Sequence, residues 1–259
     1  MNPTILWFRR DLRLQDHAAL TAAVTRGGPI LAVFICDEQV ENLGAAPKWR
    51  LGASVAALQA ALLTKGNRLI LRRGFALPTL KALVAETGAK AVYWQRAYDP
   101  TSQSRDRAVK AAMLDMDVEA QSFKGHLLFE PWTVQTKAGG FFKVYTPMWN
   151  SVHSRDVPAP LPEPIFIPAP MDFPRTDNLA DWNLGHQMQR GLDIVAGYAR
   201  VGAAKAMARL EEFTQGGLRD YQANSDIPGE DGTSKLAENL ALGEINQCQC
   251  GHAGREECE

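Results

Sequence analysis

Along the first 125 residues the hydrophobic pattern switches between two kinds of run. Short apolar stretches at 4–8, 29–36, 68–71, 91–94 and 118–123 read as β-strands. Between them, residues 17–25, 47–63, 77–87 and 102–114 carry apolar side chains at helical spacing. Gly27, Gly28, Gly66 and Gly88 fall where those helices should stop. Strands alternating with helices predict an α/β fold, a Rossmann-like doubly wound five-stranded parallel sheet with right-handed crossovers.

From Lys124 the pattern breaks. A dense aromatic segment at 142–149 follows Gly139 and Gly140, and seven of the eighteen residues at 157–174 are proline. Such a run has a stiff, extended backbone suited to a tether across a surface, with Ile165, Phe166, Ile167 and Phe173 as its pins. Helical spacing returns after Asp181. One helix is predicted over 188–206, through Leu192, Ile194, Val195, Tyr198 and Val201, and a second over 204–215. A polar loop at 220–233 precedes a last helix at 234–245. The chain thus divides into an α/β domain at 1–130, an extended connector at 131–181 and a helical part at 182–259, a partial all-α domain.

Composition changes this picture little. The 259 residues carry a net charge of −1, so no overall basic field advertises nucleic-acid binding, although a local patch would suffice. No apolar run approaches a membrane span and Met1-Asn2-Pro3 does not open a signal peptide, so no membrane partner and a cytoplasmic location are expected. Cys36, closing an apolar strand, reads as an inert core thiol. Cys248, Cys250, His252 and Cys258 crowd the end of the chain, but a single Cys-x-Cys matches zinc spacing poorly. No metal site is expected, and the segment reads as a disordered tail.

Candidate chemistry sits at two places. The first strand runs into Arg9-Arg10-Asp11-Leu12-Arg13, and the Gly-x-Gly-x-x-Gly fingerprint of dinucleotide-binding folds is absent there. Either Arg9, Arg10 and Arg13 pair with Asp11 and Asp16, or they meet an anionic ligand at the strand's carboxyl end. The second place is Gly232-Thr233-Ser234-Lys235-Leu236. Two hydroxyls and a lysine at a helix start suit an anion, and they equally suit a plain N-cap. Trp49, Trp94, Trp132 and Trp149 read as core aromatics, and His17, His126, His153 and His186 as surface or capping residues. Arg72-Arg73 and Arg9-Arg10 read as a solvated face, with one shared electropositive rim as the alternative.

Trp7-Phe8-Arg9-Arg10-Asp11-Leu12-Arg13-Leu14 resembles the opening of DNA photolyases and cryptochromes. The resemblance continues through the 47–58 segment, Leu71-Arg72-Arg73-Gly74, Arg105-Asp106, Tyr145-Thr146-Pro147 and Leu242-Gly243-Glu244-Ile245, in matching order. It implies that residues 1–130 form the family's antenna-type domain and that 182–259 begin its helical FAD-binding domain, incomplete here, so that the chain resembles a truncated member unable to catalyse alone. In the family a tyrosine contacts FAD and a Thr-Ser-Arg-Leu-Ser segment wraps its pyrophosphate. The matching positions are Tyr221, Thr233, Ser234, Lys235, Leu236 and Ala237. Lys235 keeps the charge of the usual arginine without its planar fork, and Ala237 keeps only the N–H of a serine, so weaker FAD binding is implied.

The function implied is that of a deoxyribodipyrimidine photolyase, a carbon–carbon lyase. Reduced FAD donates an electron under light to split cyclobutane pyrimidine dimers in UV-damaged DNA. The alternatives are a cryptochrome-like blue-light photoreceptor and a non-catalytic chromophore-binding domain. Ser225 stands where photolyases often carry an arginine for a DNA phosphate, and residues 246–251 depart from the family's usual Ser-Pro-Arg-Gln continuation. The antenna pigment is unassigned. Thr101 and Ser102 replace the Asn-Glu pair of folate-type members, which argues against folate in that manner and leaves a deazaflavin, a flavin or none. No catalytic residue is assigned to this chain.

Overall fold

The computed structural model describes residues 2–256. Five strands, β1 (Thr4–Phe8), β2 (Ile30–Cys36), β3 (Leu69–Arg73), β4 (Ala91–Gln95) and β5 (Glu119–Phe123), pair in parallel in the order β3-β2-β1-β4-β5. The crossovers carry α1 (Ala18–Arg26), the short α2 (Glu38–Glu41) and α3 (Ala45–Thr64), then α4 (Ala76–Thr87) and α5 (Pro100–Leu114). Strand periodicity sorts the side chains. Leu6, Phe8, Ala32, Phe34 and Tyr93 face α1 and α3, whereas Ile5, Trp7, Val33, Val92 and Trp94 face α4 and α5. Both faces are therefore dry, which is why the central strands read as continuous apolar runs.

Helix ends follow their caps. His17 Nδ1 accepts the Leu20 N–H, so His17 precedes α1 instead of opening it. Asp37 accepts from the N–H groups of Gln39 and Val40 to start α2. Asp99 accepts from Ser102 N–H, and Pro100 at the first helical position starts α5 two residues before the predicted boundary.

Beyond the sheet, α6 (Tyr145–Val152) precedes the proline-rich segment, which lies against the sheet as a strap. Pro168 O accepts from Ile30 N–H, Lys65 O from Ile167 N–H, and Leu71 O from Asp177 N–H. Thr176 Oγ1 accepts from Leu71 N–H, so the strap also covers part of the edge strand β3. Of the four apolar pins, Ile167 is fully buried and Phe173 packs beneath the Arg68 guanidinium. Ile165 and Phe166 face outward, at 94% and 59% exposure; the strap is held by its backbone instead.

The helical part departs further from the sequence pattern. The single helix predicted over 188–206 is a short α7 (Gly191–Ala196), a break, and then α8 (Ala203–Glu212). Gly202 at the break has φ 96°, a conformation no helix continues through. A π-helical turn (Phe213–Gly217) and α9 (Tyr221–Asn224) follow. The helix predicted over 234–245 shrinks to α10 (Ala237–Ala241), because Lys235 has φ 50° and Gly243 φ 64°. The expected disordered tail is α11 (Gln247–Glu256) over most of its length, with Cys250 packed against α8's small core of Ala206, Leu210, Leu236 and Ile245. Cys258 lies outside the described residues.

Candidate functional site

The sheet turns direction between β1 and β4, and a crevice at the carboxyl ends of strands is dictated there. A cavity of about 560 Å³ occupies it. Its polar wall includes Arg9, Arg10, Arg105, Tyr98 and His126, and Phe34, Val40 and Leu51 supply apolar surface. Arg9 does not pair with its sequence neighbours through its side chain. Its Nη1 donates to both oxygens of Asp106 at 2.8 and 3.1 Å, its Nη2 to Gln95 O, and its guanidinium lies 4.7 Å from the Trp7 ring centre. Arg105 lies 4.8 Å from the same ring and donates to Asp37 at 2.6 Å. Asp106 also accepts from Trp94 Nε1 at 2.9 Å. These cations are therefore locked into the wall, while the Arg10 side chain is exposed at the mouth with no partner among the described residues.

Beside the pocket, Asp11 is buried and accepts from His17 Nε2–H at 3.0 Å and from Arg9 N–H at 2.6 Å. Desolvation alone would raise the Asp11 carboxyl, but the His17 hydrogen bond and the Arg9 N–H bring it down to about 2. His126 is driven to about 4, by burial first and then by Arg13 and Arg9 against the pull of Asp11. It faces the cavity as a neutral imidazole at pH 7. Cys36 is pushed up to about 11 by burial and by Glu41, as an inert core thiol requires. Arg72 and Arg73 answer Glu86 and Glu41, while Arg9 points inward, so the four arginines share no rim.

The second candidate lies in the helical part. Tyr221 is half exposed, edge-on to Phe213 with centroids 6.0 Å apart. Gly232 passes so close to the end of α9 that an added Cβ would sit 2.5 Å from the Asn224 carbonyl, which draws the 232–237 loop to the Tyr221 turn. Thr233, Lys235 and Ala237 are exposed and Ser234 is half-buried. Leu236 is buried in the small third core, so only its backbone is on offer. Among the described residues, the N–H groups of Thr233, Ser234, Lys235 and Leu236 meet no acceptor, and the two hydroxyls have no partner. Neither hydroxyl serves as the predicted N-cap. Lys235 pairs with Asp231 at 2.7 Å.

Four consecutive open N–H groups, two hydroxyls and an ammonium form a donor set suited to phosphate oxygens. The residues thus fit the pyrophosphate of a dinucleotide cofactor. The strand-end pocket is a separate place. Thr101 and Ser102 line it, with Ser102 Oγ engaged to Gln39. Tyr98, Arg105 and His126 of that pocket carry no ligand-type spacing in the sequence; the loops after β4 and β5 and the start of α5 bring them to β1. No group of His, Cys, Asp and Glu able to hold a metal occurs among the described residues.

The chain is thus a doubly wound parallel sheet strapped to a small helical part, with a pocket at the strand ends and a loop of open donors. The family description for DNA photolyase matches residues 4–165, and the chain belongs to that family. It is 40% identical to a deoxyribodipyrimidine photo-lyase of Agrobacterium fabrum over 97% of its own length and 53% of that protein's. The crystal structure of a class III photolyase from Agrobacterium tumefaciens superposes with a TM-score of 0.94 at 39% identity, over 98% of this chain and 53% of that one. Arabidopsis thaliana cryptochrome-1 is 30% identical over 97% of this chain and 38% of its own. The chain spans about half the length of the photolyases it matches.

Proposed function

We propose that this chain seats the chromophores of a photolyase acting on cyclobutane pyrimidine dimers in UV-damaged DNA. The observation that carries the reading is the run of open donors at residues 233–236. The N–H groups of Thr233 to Leu236 and the two hydroxyls would hold the FAD pyrophosphate, with Lys235 adding charge and Tyr221 contacting the cofactor from the preceding turn. Bound FAD supplies light-driven electron donation to the dimer. Lysine in place of arginine offers a point charge without a two-pronged grip, and Ala237 offers no hydroxyl, so retention of FAD is expected to be weak.

The strand-end cavity supports a second role, housing an antenna pigment. Its volume of about 560 Å³, aromatic and apolar lining and the free Arg10 at its mouth suit a flat chromophore with an anionic arm. The likeness to cryptochrome-1 supports a photoreceptor as the alternative to repair.

The test is the absorption spectrum of the purified protein, with pigment released by denaturation and identified. FAD recovered from the wild type and lost from a Thr233→Val/Ser234→Ala variant is the expected result. A deazaflavin or other pigment without FAD would leave the strand-end pocket as the functional site. A colourless protein that takes up no added FAD would overturn the cradle.

A further inference from the structure

We propose that Arg50 is the positioning residue of the phosphate cradle, tying the loop at 233–237 to α3 through one chain of charges. The inference rests on the cradle reading above. Arg50 is 8% exposed on α3, and its Nη1 and Nη2 donate to the two oxygens of Glu244 at 3.0 and 2.6 Å. Glu244 is 1% exposed, and its oxygens also accept from Gly202 N–H and Asn239 Nδ2, both at 2.7 Å. Arg50 Nε donates to Glu238 Oε2 at 2.7 Å. The other Glu238 oxygen accepts from Arg209 Nη1 at 2.8 Å, and that same nitrogen donates to Lys235 O at 2.6 Å. Two residues therefore link Arg50 to the backbone of the cradle.

The point of contact distinguishes positioning from plain cohesion. Lys235 holds φ 50°, a left-handed conformation unfavourable for a side-chain-bearing residue and persistent only where its surroundings enforce it. Arg209 grips its carbonyl, and that conformation orients the N–H groups on either side. Arg209 is in turn fixed by Glu238 and by Asn239 Oδ1 at 3.1 Å. Glu238 is a third exposed; Arg50 Nε holds one of its oxygens while the two Nη groups grip Glu244, an arrangement a lysine at position 50 cannot reproduce. A charge-preserving change 185 residues earlier in the chain should thus loosen the loop while leaving the sheet core in place.

The experiment compares wild type, Arg50→Lys, Glu238→Ala and Ser234→Ala, using FAD as the probe in fluorescence titrations, with backbone chemical shifts of Lys235 recorded in the free protein. Expected is a loss of FAD affinity of about tenfold or more in Arg50→Lys and Glu238→Ala, with Lys235 shifts leaving their left-handed values and the thermal midpoint of the sheet retained. Glu238→Ala, at a partly exposed site, carries the test if Arg50→Lys fails to fold. Wild-type FAD binding and wild-type Lys235 shifts in these two variants overturn the positioning role alone. Absence of FAD binding by the wild type, or unchanged binding by Ser234→Ala, sinks the cradle and this inference with it.

Discussion

His17 shows how much one side chain settles. Its Nδ1 accepts the Leu20 N–H, so that nitrogen carries no proton, and the proton on Nε2 must point at Asp11. Protonating the ring would break the cap of α1, and burial lowers the His17 pKa accordingly. The sequence suggested a surface or capping place for His17, and it caps α1 from a buried position. The environment of His126 was not legible, since no local spacing places a histidine after β5 beside Asp11. Likewise Arg9 pairs with Asp106, 97 positions away, because the parallel neighbours β1 and β4 bring the beginnings of their two crossovers side by side. The pH dependence follows from these groups. Both histidines have folded pKa values below their ordinary 6.5, so the unfolded chain binds protons first and stability falls as pH drops below about 6.5, for His126 until about 4. Asp11 extends the loss from 3.8 down to about 2, where its folded carboxylate is finally protonated. His126→Asn should make the decline of the urea midpoint between pH 7 and 4 shallower than in wild type. An unchanged slope would show that His126 titrates normally in the folded protein.

Among elements, the central strands were legible because both their faces are apolar, and α1, α3, α4 and α5 because each buries one apolar face, whereas the short α2 was not foreseen. Boundary errors of a few residues trace to caps such as Asp99. The helical part was misread for a different reason. Apolar spacing persists from 188 to 206, yet Gly202 must turn its N–H toward Glu244 and cannot continue a helix. Gly243 has a sharper constraint. It sits at φ 64°, and an added Cβ would lie 2.1 Å from Arg10 O and 2.7 Å from Asp11 Cα, both backbone atoms. Gly243→Ala should therefore cost about 2–4 kcal/mol in urea unfolding, combining left-handed strain with overpacking that no side chain can relieve. A variant within experimental error of wild type would mean the junction between α10 and the β1 turn is not closely packed in solution.

Across the whole molecule, composition marked 157–174 as a connector but could not show what holds it. Proline leaves few N–H groups, so the strap gives carbonyls to Ile30 and Asn67 and keeps only selected N–H donors of its own. Its backbone is committed despite its exposed Ile165 and Phe166. Limited proteolysis should consequently make its first cuts in the exposed loop at 226–231, where every residue faces solvent, and spare 157–177. Early cleavage inside the strap would contradict its docking. The candidate cradle was legible only as a motif. That its donors are unpaired, and that Arg209 grips its backbone, depended on contacts between elements far apart in the chain.

The turn after β1 is finished by residues more than 200 positions further along the chain. Arg13 donates to Gly243 O, Asn246 Nδ2 to Asp16, and Leu12 N–H to Leu242 O. A chain leaving the ribosome can assemble its sheet early, but it must carry this turn incomplete until more than 200 further residues have appeared. Closing so long a loop is entropically slow and belongs to the end of folding. The turn after β1 thus waits on a distant segment: a nascent chain halted before Gly243 would hold the Arg13 guanidinium without the Gly243 carbonyl.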